Sequence, residues 1–280
     1  MTTTTCKRLL LILGGKGGTG KTLFCRLFYY FAVKAGLNCL GYDADIENPE
    51  FYQYHAQSAH KVQALDFLNV AKAKQLLSEL NQSSSEIVIL DMPGASGQAT
   101  RDQITRFGLF NIAKDLGYRV TIVSVLNNAY NTINSLEMMM AFAEEAADYV
   151  AVKSQLWNEG SLNFARWENS DTRKAFVELK GIEIEMPVLE VSTFDALHEG
   201  EVSFFDLDRV SFGDRILAES FLDLSKPQIE LAAAYFGLPI PTETVPNGSK
   251  RNAKRREKSN KSEGNGVTDK HIETSLCSNS

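Results

Sequence analysis

Cysteine is scarce in this 280-residue chain: Cys6, Cys25, Cys39 and Cys277 lie far apart, and none forms a CxxC pair. That spacing suggests neither a disulfide framework nor a zinc site, so reduced, mostly buried thiols are expected. Long apolar runs are missing too. Leu9–Leu13 is typical of the longest, far short of the roughly 18 residues of a membrane-spanning helix. Gly14-Gly15 cuts it off below the roughly 7–15 apolar residues of a secretory signal, although Lys7 and Arg8 precede it. A cytoplasmic protein without a transmembrane segment is expected. No internal repeat is present.

The composition is ordinary in bulk and uneven along the chain. An apolar share of 44% beside 23% charged residues suits a soluble globular chain able to bury a core. The net charge of −6 divides sharply: residues 243–280 hold eight Lys/Arg against five acids, giving +3, so residues 1–242 hold 21 against 30, giving −9. The final segment is rich in Ser, Asn, Gly and Lys and poor in large apolar residues, so burial cannot offset its ordering entropy. The expected organisation is one domain, 1–242, followed by a disordered basic tail, 243–280, with the boundary near Leu238-Pro239-Ile240-Pro241.

Within the first 242 residues, short apolar runs alternate with segments of helical period, which predicts βαβ units around a mostly parallel sheet. The expected strands are Arg8–Leu13, Leu37–Tyr42, Ile87–Leu90, Arg119–Val125, Tyr149–Lys153 and Ile182–Met186. The expected helices are Lys21–Ala35, Val62–Leu80, Arg101–Leu116, Thr132–Ala147, Asn163–Leu179 and Ser225–Phe236. Ser192–Asp223 is acidic and gives no clear pattern.

One stretch carries chemistry. Gly15-Lys16-Gly17-Gly18-Thr19-Gly20-Lys21-Thr22 satisfies G-x-x-x-x-G-K-[ST], after an apolar strand and at the opening of a helix. The glycines let successive backbone N–H groups point inward, forming a nest at a helix N-terminus whose dipole favours phosphate. Lys21 is placed to bind the β- and γ-phosphates of a nucleotide and Thr22 to ligate Mg²⁺. Ile87–Leu90 followed by Asp91 is a buried strand ending in a carboxylate, the Walker B pattern, so Asp91 is expected to bind Mg²⁺ through water.

The second lysine narrows the class, because Lys16-Gly17-Gly18-Thr19-Gly20-Lys21-Thr22 fits K-G-G-x-x-K-[ST]. Here the chain resembles the deviant Walker A ATPases, the ParA/MinD family. The resemblance implies a three-layer α/β P-loop fold, ATP and Mg²⁺ as ligands, and slow, partner-stimulated ATP hydrolysis. It implies that Lys16 reaches across an ATP-bound homodimer to the partner's nucleotide. Asp43-Ala44-Asp45 resembles the family's switch I: Asp45 would assist the attacking water, making Lys16, Lys21 and Asp45 the catalytic set, and Asp43 would join Thr22 and Asp91 around Mg²⁺. Met92-Pro93-Gly94 resembles switch II. Where the family often reads adenine with an asparagine, Ser154-Gln155 stands here; Asn127-Asn128 after Arg119–Val125 reads as a turn, the alternative being a contact with a neighbouring subunit or nucleotide.

Related branches fit less well. No cysteine lies between Cys39 and Cys277, which excludes the cluster-binding nitrogenase iron protein. Lys250–Lys261 has no apolar face for a membrane anchor. It holds seven cations and one acid in twelve residues, which suits non-specific contact with DNA phosphates. Residues 158–230 hold 16 acids and seven bases, which does not suit DNA contact by the body: either the tail supplies that contact, or the chain acts on a protein partner and the tail only solubilises it. The expected function is a dimerising switch ATPase that positions or partitions a cargo such as plasmid or chromosomal DNA, with a stimulating adaptor protein. The competing reading is a P-loop enzyme that hands phosphate to a small substrate.

Overall fold

The computed structural model describes residues 6–15, 17–94, 96–127, 129–156 and 164–240. The expectations for Lys16, Asn128 and the tail 243–280 lie outside the described residues.

Seven strands form one sheet: β1 (Lys7–Leu13), β2 (Cys39–Asp43), β3 (Val62–Ala64), β4 (Ile87–Asp91), β5 (Tyr118–Leu126), β6 (Ala147–Ser154) and β7 (Ile182–Met186). Their order is β3-β2-β4-β1-β5-β6-β7, and every pairing is parallel. The helices are α1 (Lys21–Lys34), α2 (Glu50–His55), α3 (Val70–Gln82), α4 (Gly97–Phe107), α5 (Leu109–Asp115), α6 (Tyr130–Ala143), α7 (Ala165–Glu168), α8 (Asp171–Glu178), α9 (Val191–Glu199), α10 (Phe212–Leu231) and α11 (Ala233–Phe236). Helices cover both faces, which is why the central strands are apolar on both sides. In β1, Leu10 and Ile12 join the core under α1, α2, α9, α10 and α11. Leu9, Leu11 and Leu13 join the opposite core under α3 to α8, as the two-residue period of a strand requires. The result is a three-layer α/β fold. No helix among the described residues is long and apolar enough to cross a membrane.

All six expected strands are present, and the helices needed correction. The stretch expected as one helix from Val62 opens instead with β3, and α3 starts only after Asn69, whose side chain accepts hydrogen bonds from Ala71 N and Lys72 N. Arg101–Leu116 is two helices, divided at Gly108 with φ 60°. Asn163–Leu179 is also interrupted: Ser170 caps α8 by accepting from Arg173 N, while Asn163 lies outside the described residues. Trp167 is buried with its ring edge-on to Phe176, 5.4 Å between centroids, so these two rings are part of the core. The largest correction is α10, which begins at Phe212 and runs through Pro227 to Leu231, where sequence had placed a helix only from Ser225.

Candidate nucleotide site

The fold brings three strand ends together. β1 is the sheet's centre, and across the β1–β4 ladder Ile12 pairs with Asp91, while across β2–β4 Asp43 pairs with Asp91. The glycine loop leaves β1 at the same end and turns into α1. Gly20 caps that helix with φ 94°, and a Cβ there would also approach the Met186 Cε to 2.9 Å and the Ser154 Oγ to 3.1 Å. Gly15 is held more tightly still: a Cβ would come within 2.2 Å of the Asn131 carbonyl oxygen on α6. Both positions therefore require glycine. Lys16 lies outside the described residues; Gly17 and Gly18 are exposed, and Thr19 is buried.

Below the loop, the side chains named by sequence converge. The Thr22 hydroxyl donates to Asp91 Oδ2 at 2.8 Å, and Lys21 Nζ lies 3.6 Å from Asp91 Oδ1. Asp43 accepts from the backbone N–H groups of Asp45 and Tyr52, each at 3.0 Å. The half-buried Asp45 accepts from Asn48 N at 3.3 Å. Asp43 and Asp91 are both 1% exposed. Burial, with Asp91 beside it, pushes the Asp43 carboxyl up to about 7 against the pull of its two N–H donors. Burial likewise raises Asp91, opposed by Lys21 and Thr22. For Lys21, burial is the largest influence and pulls downward, but Asp91 and the neighbouring anionic groups outweigh it and hold the ammonium above its ordinary value.

Among the described residues two buried oxygens at the site have no hydrogen-bond partner, Thr19 Oγ1 and Asp91 Oδ1. Such groups are costly unless something else satisfies them. A pocket that combines an open glycine turn, a lysine, a threonine hydroxyl and two carboxylates raised by burial fits a phosphate chain with a divalent cation. Mg²⁺ in particular is usually held by one or two carboxylates together with waters and substrate phosphates, and Asp43 and Asp91 supply that number.

Sequence reasoning missed two neighbours. Cys25 is fully buried beside Asp91, its thiol pushed well above the usual range by burial and then by Asp91. Its signal was its place four residues after Lys21, on the same helix face. The Tyr52 N–H that orients Asp43 belongs to α2, which sequence did not predict. In contrast, Asn127 behaves as the turn residue expected: its Oδ1 accepts from Ala129 N at 3.0 Å.

A parallel sheet with this loop between β1 and α1, and a carboxylate at the end of the adjoining strand, defines a P-loop NTPase fold. Comparison with solved structures finds the same fold in a MinD protein. The septum site-determining protein MinD of Pyrococcus horikoshii, complexed with Mg-ADP, matches 81% of this chain and 98% of its own, with 14% identity and a TM-score of 0.51. MinD of Aquifex aeolicus, in its complex with MinC, matches 77% of this chain and 96% of its own at 15% identity and TM-score 0.47. A Cyanothece McdA variant in complex with ATP matches 79% and 96% at 14% identity and TM-score 0.41. At 14% identity the likeness to the Pyrococcus horikoshii protein is one of fold. No protein-family model and no curated protein sequence matches the chain.

Proposed function

We propose that this chain is an ATP-dependent dimerising switch of the ParA/MinD type, which hydrolyses ATP to ADP and phosphate and positions a cargo. The observation that carries this reading is the contact of Thr22 and Lys21 with a single buried carboxylate, Asp91, directly beneath the glycine loop. In it, backbone N–H groups of 15–22 cradle the β- and γ-phosphates, and Lys21 neutralises their charge. Thr22, Asp43 and Asp91 would hold Mg²⁺, which when bound supplies charge neutralisation between the phosphates. Asp45, on the loop after β2, would orient the water whose oxygen attacks the γ-phosphorus; the bond to the β–γ bridging oxygen breaks, and ADP leaves. Lys16 would complete the partner's site.

Dimerisation draws support from apolar residues beside the loop. Ile46 follows Asp45, Tyr130 precedes the Asn131 that abuts Gly15, and both are exposed. The acidic body makes DNA contact a property of Lys250–Lys261 if DNA is the cargo. Shortening the chain to residue 242 would then abolish DNA retention at low salt, and unchanged retention would remove DNA from the proposal.

Calorimetry with ATP tests the site itself. Lys21→Ala is expected to abolish measurable binding, and unchanged affinity would overturn the assignment.

A further inference from the structure

The α10 helix turns an apolar face to solvent. Ala218, Phe221, Leu222, Ser225 and Ile229 bury one side of it against the sheet layer. On the opposite side Phe212 is 72% exposed, Ile216 45%, Leu217 44%, Leu224 60% and Leu231 59%. These positions are not scattered. Leu217, Leu224 and Leu231 recur every seven residues, and Gly213, Ser220 and Pro227 alternate with them at steps of three and four. That is a heptad seam with leucine knobs at one position and small side chains at the other, offering hollows into which another helix can set large residues. Contiguous exposed apolar surface of this kind marks a partner-binding site.

Charge selects among occupants. Arg215 is tied to Glu219 at 3.8 Å and Lys226 to Glu230 at 2.5 Å, while exposed Asp223, which borders the seam, forms no ion pair among the described residues. Along α10 itself four acids, Asp214, Glu219, Asp223 and Glu230, outnumber two bases, Arg215 and Lys226. An anionic membrane is repelled by such a surface, since interfacial helices carry Lys and Arg on their polar face. In an antiparallel pairing with a second copy, leucines would meet small residues, but Asp223 would face Asp223. Cations beside a leucine seam satisfy both features at once.

We infer that α10 is a docking surface for an amphipathic helix of a partner protein whose apolar seam is flanked by lysine or arginine. This surface is separate from the nucleotide site and does not depend on it. The test uses the full chain and two fluorescein-labelled 18-residue model helices with identical leucine seams, one flanked by lysine and the other by glutamate, read by anisotropy. Saturable binding of the lysine helix is expected, with the glutamate helix at least tenfold weaker. Leu224→Ser and Asp223→Lys should each weaken the lysine helix at least tenfold without shifting the thermal midpoint, and Lys21→Ala should leave it unchanged. Equal affinity for wild type and Leu224→Ser would overturn the inference. So would a nucleotide-free dimer that Leu224→Ser converts to monomer, because the face would then belong to a second copy.

Discussion

Asp43 and Asp91 stand opposite each other on adjacent parallel strands, each almost wholly buried, and only Asp91 is approached by a cation of the chain, Lys21, among the described residues. Two carboxylates in so dry a place disfavour each other's ionisation. A divalent cation would relieve that conflict, as the proposed Mg²⁺ site requires of the pair. Asp91→Asn is predicted to remove the Mg²⁺ enhancement of ATP binding, with affinity in Mg²⁺ falling at least tenfold toward the value in EDTA. Titration calorimetry with and without EDTA checks this, and a retained Mg²⁺ enhancement would take Asp91 out of the cation site.

The glycine loop is pinned as well as open. Because a methyl at Gly15 would meet the Asn131 carbonyl oxygen at 2.2 Å, Gly15→Ala must displace backbone rather than a side-chain tip. A loss of about 2 kcal/mol or more is predicted, read as a lower urea midpoint, together with weakened nucleotide binding. Gly17→Ala is the control, since a Cβ there meets nothing within 4 Å; it should leave the midpoint within about 0.5 kcal/mol.

Acid stability should report on His55. Its ring is 1% exposed, with Nδ1 2.9 Å from the Phe51 carbonyl oxygen, and burial lowers its pKa to about 4. In the unfolded chain the same ring takes a proton near 6.5. The neutral ring's contribution is therefore complete above pH 6.5 and is lost as pH falls toward about 4, on the order of 3 kcal/mol in all. His55→Gln should flatten that part of the stability profile; an unchanged slope between pH 6.5 and 4 would contradict the assignment.

Much of this architecture was legible because the central strands are buried on both faces and read as continuous apolar runs. The convergence of the glycine loop, Thr22 and Asp91 was legible because the motif spacing sets them at the same ends of neighbouring parallel strands. Other elements hid for physical reasons. β3 is a three-residue edge strand, too short for a period to show, and it merged with the helix that follows. The first half of α10 was lost because the apolar Phe212, Ile216 and Leu217 on its solvent side blur the helical period, and Pro227 reads as a stop although the helix passes through it. The Tyr52 N–H on Asp43 is a backbone contact nine residues away, and no side-chain pattern announces it.

The central claim is an ATP-driven dimer, and the molar mass of the full chain in solution tests it most directly. With ATP and Mg²⁺, light scattering should show the mass doubling relative to ADP, persistently so in Asp45→Ala, for which the proposal predicts blocked hydrolysis, and not at all in Lys16→Ala. A wild-type chain that stays monomeric with ATP, or a Lys16→Ala variant that dimerises as readily as wild type, would contradict the account.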